Sequence, residues 1–246
     1  ALCLATRLAR TAEIGMIADA CGFDAFFIDM EHSTITLEAA AQICTAALPV
    51  GITPMARIAG HNFEDATRLL EAGALGIVCP HVDDAEQATR FATACRFPPL
   101  GTRSVAGPAA LQGYRATSLA EVNAQGNAAT TLIPMLETPQ AIANADAIAA
   151  VPGIDVLLIG SNDLCTAMGI PGEMKHPKLQ AAYENVARAC KAHNKVLGVG
   201  GIRGDVAQVA ELVKLGARFV IAASDVQYLM RAARDEVAAL RKATAA

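Results

Sequence analysis

The chain has 246 residues, is 53% hydrophobic and carries a formal net charge of −4 at pH 7. That is enough apolar material for a large core, in one α/β barrel or in two small domains. The scattered Lys and Arg form no basic stripe, which counts against nucleic acid as a partner and leaves a small, anionic metabolite open. The cysteines (Cys3, Cys21, Cys44, Cys79, Cys95, Cys165 and Cys190) are odd in number, widely spaced and without a C-x-x-C pair. This argues against a disulfide framework and a thiolate metal site, and a reducing cytosol is the expected compartment. No apolar run reaches the roughly eighteen residues a membrane span needs, and no signal-peptide pattern precedes the first strand. The chain opens at Ala1 without Met, so a few residues of that strand are expected to be missing.

Short apolar runs then alternate with longer helical stretches, the βαβ pattern of a parallel sheet. Strands are predicted at Leu2–Ala5, Ala25–Ile28, Thr53–Arg57, Leu75–Cys79, Thr131–Leu136, Val156–Ile159, Val196–Val199 and Arg218–Ala222. Acids in a first turn at Asp83, Asp84 and Glu86 start one helix, and Gly73 and Gly216 each end one just before a strand. Gly22 and Gly153 recur in the same place. An eightfold alternation with short αβ turns and no composition shift fits a single closed (β/α)8 TIM barrel, one domain over residues 1–246, better than an open sheet. The one long irregular stretch, Phe97 to Tyr114, reads as a functional loop or a subunit contact.

In such a barrel the chemistry lies at the carboxyl ends of the strands. Strand two runs from an apolar core into Asp29, Glu31 and His32; strand three ends in Arg57, and strand four in Pro80 and His81. Strand five leads to Glu137 and Thr138, and strand six to Gly160, Ser161, Asn162 and Asp163. Strand seven leads to the glycine-rich run Gly198 to Gly204, which includes Arg203, and strand eight to Ser224 and Asp225.

Glu137 and Asp163, on neighbouring strands, offer hard oxygen donors without thiolate, a set suited to Mg2+ or Mn2+. Arg57 supplies a permanently charged planar fork for a substrate carboxylate or a developing enolate oxygen. His32, with Asp29 close in the chain, is a candidate base whose tautomer an acid could fix. Together they permit proton abstraction beside the carbonyl of a 2-oxo acid. Imine chemistry needs a lysine at a strand's carboxyl end. Lys195 precedes strand seven, Lys191, Lys214 and Lys242 lie on predicted helices, and Lys175 and Lys178 fall in or just after the loop beyond strand six.

The runs Asp29 to Ser33, Arg57, Arg68 to Gly73, Arg96 to Ser104, Leu136 to Thr138 and Ile159 to Leu164 together resemble the HpcH/HpaI aldolase family of metal-dependent, class II pyruvate aldolases. The resemblance implies aldol cleavage of a 4-hydroxy-2-oxo acid to pyruvate and an aldehyde. Carried over, it makes Glu137 and Asp163 ligands of a divalent ion (Mg2+ or Mn2+, with Co2+ a further candidate), Arg57 the group that polarises pyruvate, and His32 the base with Asp29 as its partner. It gives the backbone amides of Ser161 and Asn162 the substrate carboxylate and sets Glu71 beside the His–Asp pair. It also implies a homohexamer in which the last helix, Ser224 to Lys242, packs on or exchanges with a neighbour. The chain departs from the family pattern at Glu71 (often Asp), Met135 (a polar residue) and Ser161-Asn162 (Pro-Ala). His81 reads equally as an acceptor contact or as a loop residue.

Two other readings stand beside this one. Gly198 to Gly204 with Ser224 resembles the phosphate cradle of many barrels, which would make this an enzyme of phosphoenolpyruvate or a phosphosugar. The barrel could also be a non-catalytic metabolite sensor or scaffold.

Overall fold

The computed structural model describes residues 1–202 and 204–244; Arg203 lies outside the described residues. Strands β1 (Leu2–Thr6), β2 (Ala25–Asp29), β3 (Thr53–Arg57), β4 (Gly76–Cys79), β5 (Thr131–Leu136), β6 (Val156–Gly160), β7 (Val196–Gly200) and β8 (Ala217–Ser224) close a parallel barrel in chain order. The predicted strands are all present, with ends shifted by a residue or two. β8 runs longest because its register slips against both β7 and β1, which admits extra residues at the seam.

Helices α1 (Glu13–Ala20), α2 (Leu37–Ala47) and α3 (Phe63–Glu71) follow the first three strands singly. The next three connections each hold two: α4 (Ala85–Cys95) and α5 (Leu119–Ala129), α6 (Pro139–Ala143) and α7 (Ala145–Ala149), α8 (Ser161–Ala167) and α9 (Pro177–Ala192). The alternation of the sequence predicts one helix per connection. Chain breakers explain the difference: α8 stops before Gly169 at φ 73°, and α9 restarts on Pro177. α10 (Val206–Leu215) and α11 (Asp225–Thr244) complete the ring. Thr36, Asn62, Asp84, Ser118, Thr138 and Asp205 each accept a first-turn amide and so fix where a helix begins.

Side chains alternate across each strand. One phase (Phe26, Ile28, Ala56, Ile77, Leu132, Leu157) packs against the helices, and the other (Cys3, Ala5, Ala25, Phe27, Met55, Val78, Ile133, Met135, Leu158) fills the barrel. Continued by one step toward the carboxyl end, the inner phase reaches Arg7, Asp29, Arg57 and Glu137, so the apolar plug ends in a charged layer.

Phe97 to Tyr114 lies at the other end of the barrel, joining the end of α4 to α5. Arg96 there reaches the carbonyls of Asn127, Thr130 and Gly153 and the Asp155 carboxylate, at 2.5–3.0 Å. Arg103 stacks on Phe97 at 4.4 Å and pairs with Glu71 at 2.8 Å. This corrects the placement of Glu71 beside the His–Asp pair: it closes α3 below the amino end of β4, where its partner is Arg103. α11 has no buried residue, and Leu229, Met230, Val237 and Leu240 on it are exposed.

Candidate active site

The barrel mouth opens into a cavity of about 350 Å³ lined by Arg7, His32, Arg57, Met135, Glu137, Gly160 to Asp163, Gly200, Gly201 and Ser224, among others. Asp29 and Arg57 are register partners on β2 and β3, so their side chains point inward at one level. Arg57 Nε donates to Asp29 Oδ1 at 3.0 Å and Nη2 to Oδ2 at 2.7 Å, a bidentate fork between fully enclosed groups. Nη1 donates to the Met135 sulfur at 3.7 Å and lies 3.0 Å from Glu31 Oε2, and the guanidinium sits over the Phe27 ring. A further N–H on Nη2 has no partner among the described residues.

Asp29 also receives the amides of Glu31 and His32, at 3.2 and 3.1 Å, and Arg7 Nε at 2.6 Å. Burial alone would raise its carboxyl. The hydrogen bonds and charge of Arg57, the His32 amide and the charge of Arg7 outweigh burial and hold it below the usual Asp value. Its oxygens are thereby saturated, and no hydrogen bond joins Asp29 to the His32 ring among the described residues. The expected Asp29–His32 side-chain pair is corrected accordingly: Asp29 orients Arg57. His32 presents a half-exposed ring to the cavity, with Nε2 3.9 Å from Glu31 Oε2.

Glu137 and Asp163 line the same cavity. Burial pushes the Glu137 carboxyl up to about 7, against the pull of the His81 amide and the charges of His81 and Arg57, and the Asp163 charge adds to the rise. Gly160 makes room for it, since a Cβ there would fall 2.5 Å from Glu137 Oε1. Among the described residues no group of three or more His, Cys, Asp or Glu converges as a metal cage. Mg2+ and Mn2+ need no such cage, because one or two carboxylates with water and substrate oxygens complete their shell. Two carboxylates, one of them buried and reluctant to ionise alone, are a donor set that fits such an ion. No lysine lines the cavity among the described residues.

Ser161 opens α8, and its hydroxyl is committed away from the cavity: it donates to the Gly200 carbonyl and accepts from Tyr183, both at 2.7 Å. Burial pushes the Tyr183 hydroxyl up to about 12, which keeps it a donor. The first amides of α8 have no capping side chain.

Three participants were missed or undecided in the sequence. His81, in the left-handed region at φ 51°, donates its amide to Glu137 Oε2 at 3.1 Å. Its ring bridges Glu137 Oε2 (3.3 Å) and Glu31 Oε1 (3.4 Å), while His61 Nε2 holds the Pro80 carbonyl beneath it at 3.0 Å. Glu31, part of the strand-two run but given no role, is partly buried, and its Oε2, shut from solvent, lies 3.0 Å from Arg57 Nη1. Arg7 was overlooked although Cys3, Ala5 and Arg7 share the inward phase of β1. Thr138 caps α6 and binds Asp83, a structural task.

A closed parallel barrel whose inward carboxylates, arginines and histidine meet at the carboxyl ends of its strands defines a TIM-barrel enzyme. The sequence profile of the HpcH/HpaI aldolase/citrate lyase family matches residues 8–232, and the chain belongs to that family. It is 38% identical over 237 residues to the 4-hydroxy-4-methyl-2-oxoglutarate aldolase of Hapsidospora irregularis, covering 94% of this chain and 87% of that one. It is 32% identical over 226 residues to the 4-hydroxy-2-oxo-heptane-1,7-dioate aldolase of Salmonella newport, covering 92% and 84%. The HpcH/HpaI aldolase structure from Desulfitobacterium hafniense superposes with a TM-score of 0.92 at 28% identity, over 98% of this chain and 92% of that one. The chain is thus an aldolase, a carbon–carbon lyase, and the non-catalytic reading falls.

Proposed function

We propose that this cavity performs reversible aldol cleavage of a 4-hydroxy-2-oxo acid to pyruvate and a carbonyl acceptor, assisted by a divalent ion at Glu137 and Asp163. The observation that carries the reading is the facing pair itself: a buried carboxylate raised to about 7 beside a second carboxylate, opposite an arginine fork locked by Asp29. Mg2+, Mn2+ or Co2+ bound there would supply positive charge to the 2-oxo oxygen and the substrate carboxylate.

The chain's own groups supply the rest. In cleavage a ring nitrogen of His32 takes the proton of the C4 hydroxyl, the C3–C4 bond breaks, and C4 becomes the acceptor's carbonyl. The electron pair left on C3 forms the pyruvate enolate, whose oxygen Arg57 faces with its unpaired Nη2 N–H, and one proton returned to C3 completes pyruvate. The amides of Ser161 and Asn162, uncapped at the start of α8, hold the substrate carboxylate. Glu31 and His81 brace Arg57 and Glu137. We assign the protein to the reducing cytosol, in keeping with its free, largely buried cysteines. We assign α11 to a neighbouring subunit of a homohexamer, in keeping with its uncovered apolar residues.

Pyruvate release coupled to lactate dehydrogenase tests the reading. Excess EDTA is expected to abolish release from a 4-hydroxy-2-oxo acid, and added Mg2+ or Mn2+ to restore it. Undiminished turnover in EDTA overturns it.

A further inference from the structure

Arg57 is held by Asp29, Met135 and Glu31 and keeps one N–H, on Nη2, for the enolate oxygen, whereas the Arg7 side chain makes a single hydrogen bond among the described residues. Its Nε donates to Asp29 Oδ2 at 2.6 Å, while Nη1 and Nη2 have no partner among the described residues. The side chain is 35% exposed, against 5% for Arg57, and lines the cavity. Its position is fixed from behind. Asp225, at the start of α11, accepts the amides of Arg7, Leu8 and Ala9 and the Thr6 hydroxyl, all at 2.7–3.0 Å. In a closed ring of eight strands β1 stands across from β5, so Arg7 faces Glu137 over the mouth, beside the small, uncharged wall of Ala222, Ala223 and Ser224. Arg7 also precedes the segment that the family profile matches, residues 8–232.

We infer that Arg7 is a carboxylate clamp for the acceptor half of the substrate, so that the preferred substrates are 4-hydroxy-2-oxo dicarboxylic acids that yield pyruvate and a second oxo acid. The inference rests on the aldolase reading of the cavity. A substrate whose pyruvyl end lies at Glu137 and Asp163 extends its far end across the mouth toward β1. There the paired Nη1 and Nη2 of a guanidinium match the two oxygens of a carboxylate. A neutral tail would leave that fork without a partner. Arg7 is thus a specificity residue that also touches Asp29, and the two roles predict different kinetics.

The test compares kcat/KM for 4-hydroxy-2-oxoglutarate with that for 4-hydroxy-2-oxopentanoate, in which a methyl replaces the terminal carboxylate. The wild type is expected to favour the dicarboxylate. Arg7→Met is expected to reduce that preference about 10- to 100-fold, the range for one charge-assisted hydrogen-bonding partner. Arg7→Gln, which keeps a donor for Asp29, serves as the second variant and is expected to lose the preference similarly. Equal losses on both substrates, leaving the preference intact, overturn the inference and reduce Arg7 to a support for Asp29. A wild type without preference overturns it as well. Exchange of the pyruvate methyl protons in D2O by the wild type separates the two levels. Its absence sinks the aldolase assignment of the cavity; its presence without a dicarboxylate preference sinks only the clamp.

Discussion

Arg57→Ala is expected to lower kcat/KM for pyruvate release by about 10²- to 10³-fold, the usual cost of losing one preorganised partner of a developing oxyanion. It should also destabilise the fold. Asp29 is fully enclosed, and without the fork it keeps only Arg7 Nε and two amides. Removing one partner of a buried pair typically costs roughly 3–5 kcal/mol, because the remaining charge is stranded. The two effects separate in the double variant: adding Asp29→Asn to Arg57→Ala should recover much of the lost Tm while activity stays lost. The pH dependence follows in sign. The native Asp29 carboxyl is held below its ordinary value of 3.8, so its stabilising contribution is fully present above that pH and is lost as pH falls toward the depressed value. In Arg57→Ala burial is no longer opposed by the arginine, so that acid-side loss should shrink or reverse. Unchanged activity in Arg57→Ala would remove the arginine from the chemistry.

Glu137→Gln should abolish turnover and weaken Mn2+ binding, yet stabilise the metal-free protein at pH 8. The carboxyl is raised by burial from 4.5 to about 7, so the folded state binds the proton more tightly than the unfolded one. The metal-free fold therefore loses stability as pH rises from the ordinary value to the raised one, and stays penalised above it. A tenfold difference in proton affinity between the folded and unfolded states is worth about 1.4 kcal/mol, which sets the gain for an uncharged glutamine at about 2–3 kcal/mol before any loss of hydrogen bonding. Thermal melts without metal at pH 5 and pH 8 check this: the variant's advantage should appear at pH 8 and vanish near pH 5. A variant less stable than wild type at pH 8 would mean that Glu137 is held by fixed protein charges and needs no ion.

The barrel was legible because buried parallel strands announce themselves as apolar runs, and the charged layer because each run breaks into polar residues at its carboxyl end. Asp29 and Arg57 end neighbouring strands, and equal register alone makes them meet. Errors arose where nearness in the chain stood in for direction in space. Asp29 and His32 are close in sequence, yet Asp29 is the inward terminus of β2 and is satisfied by the next strand. Glu71 belongs to the end of a helix that has returned to the far side of the barrel. Arg7 was visible in principle, one step beyond Ala5 in the inward phase. His81 was not, since its place depends on a left-handed backbone that its residue type does not signal. Nor does the run Phe97 to Tyr114 reveal which end of the barrel it covers, until Arg96 and Arg103 are seen anchoring it.

The most direct measurement is an anomalous-difference map from crystals soaked with Mn2+ and pyruvate. One strong peak is expected between the Glu137 and Asp163 carboxylates, with pyruvate oxygens completing the shell on the Arg57 side. A peak elsewhere, or pyruvate seated in the mouth with no ion between those two carboxylates, would contradict the metal-assisted enolate.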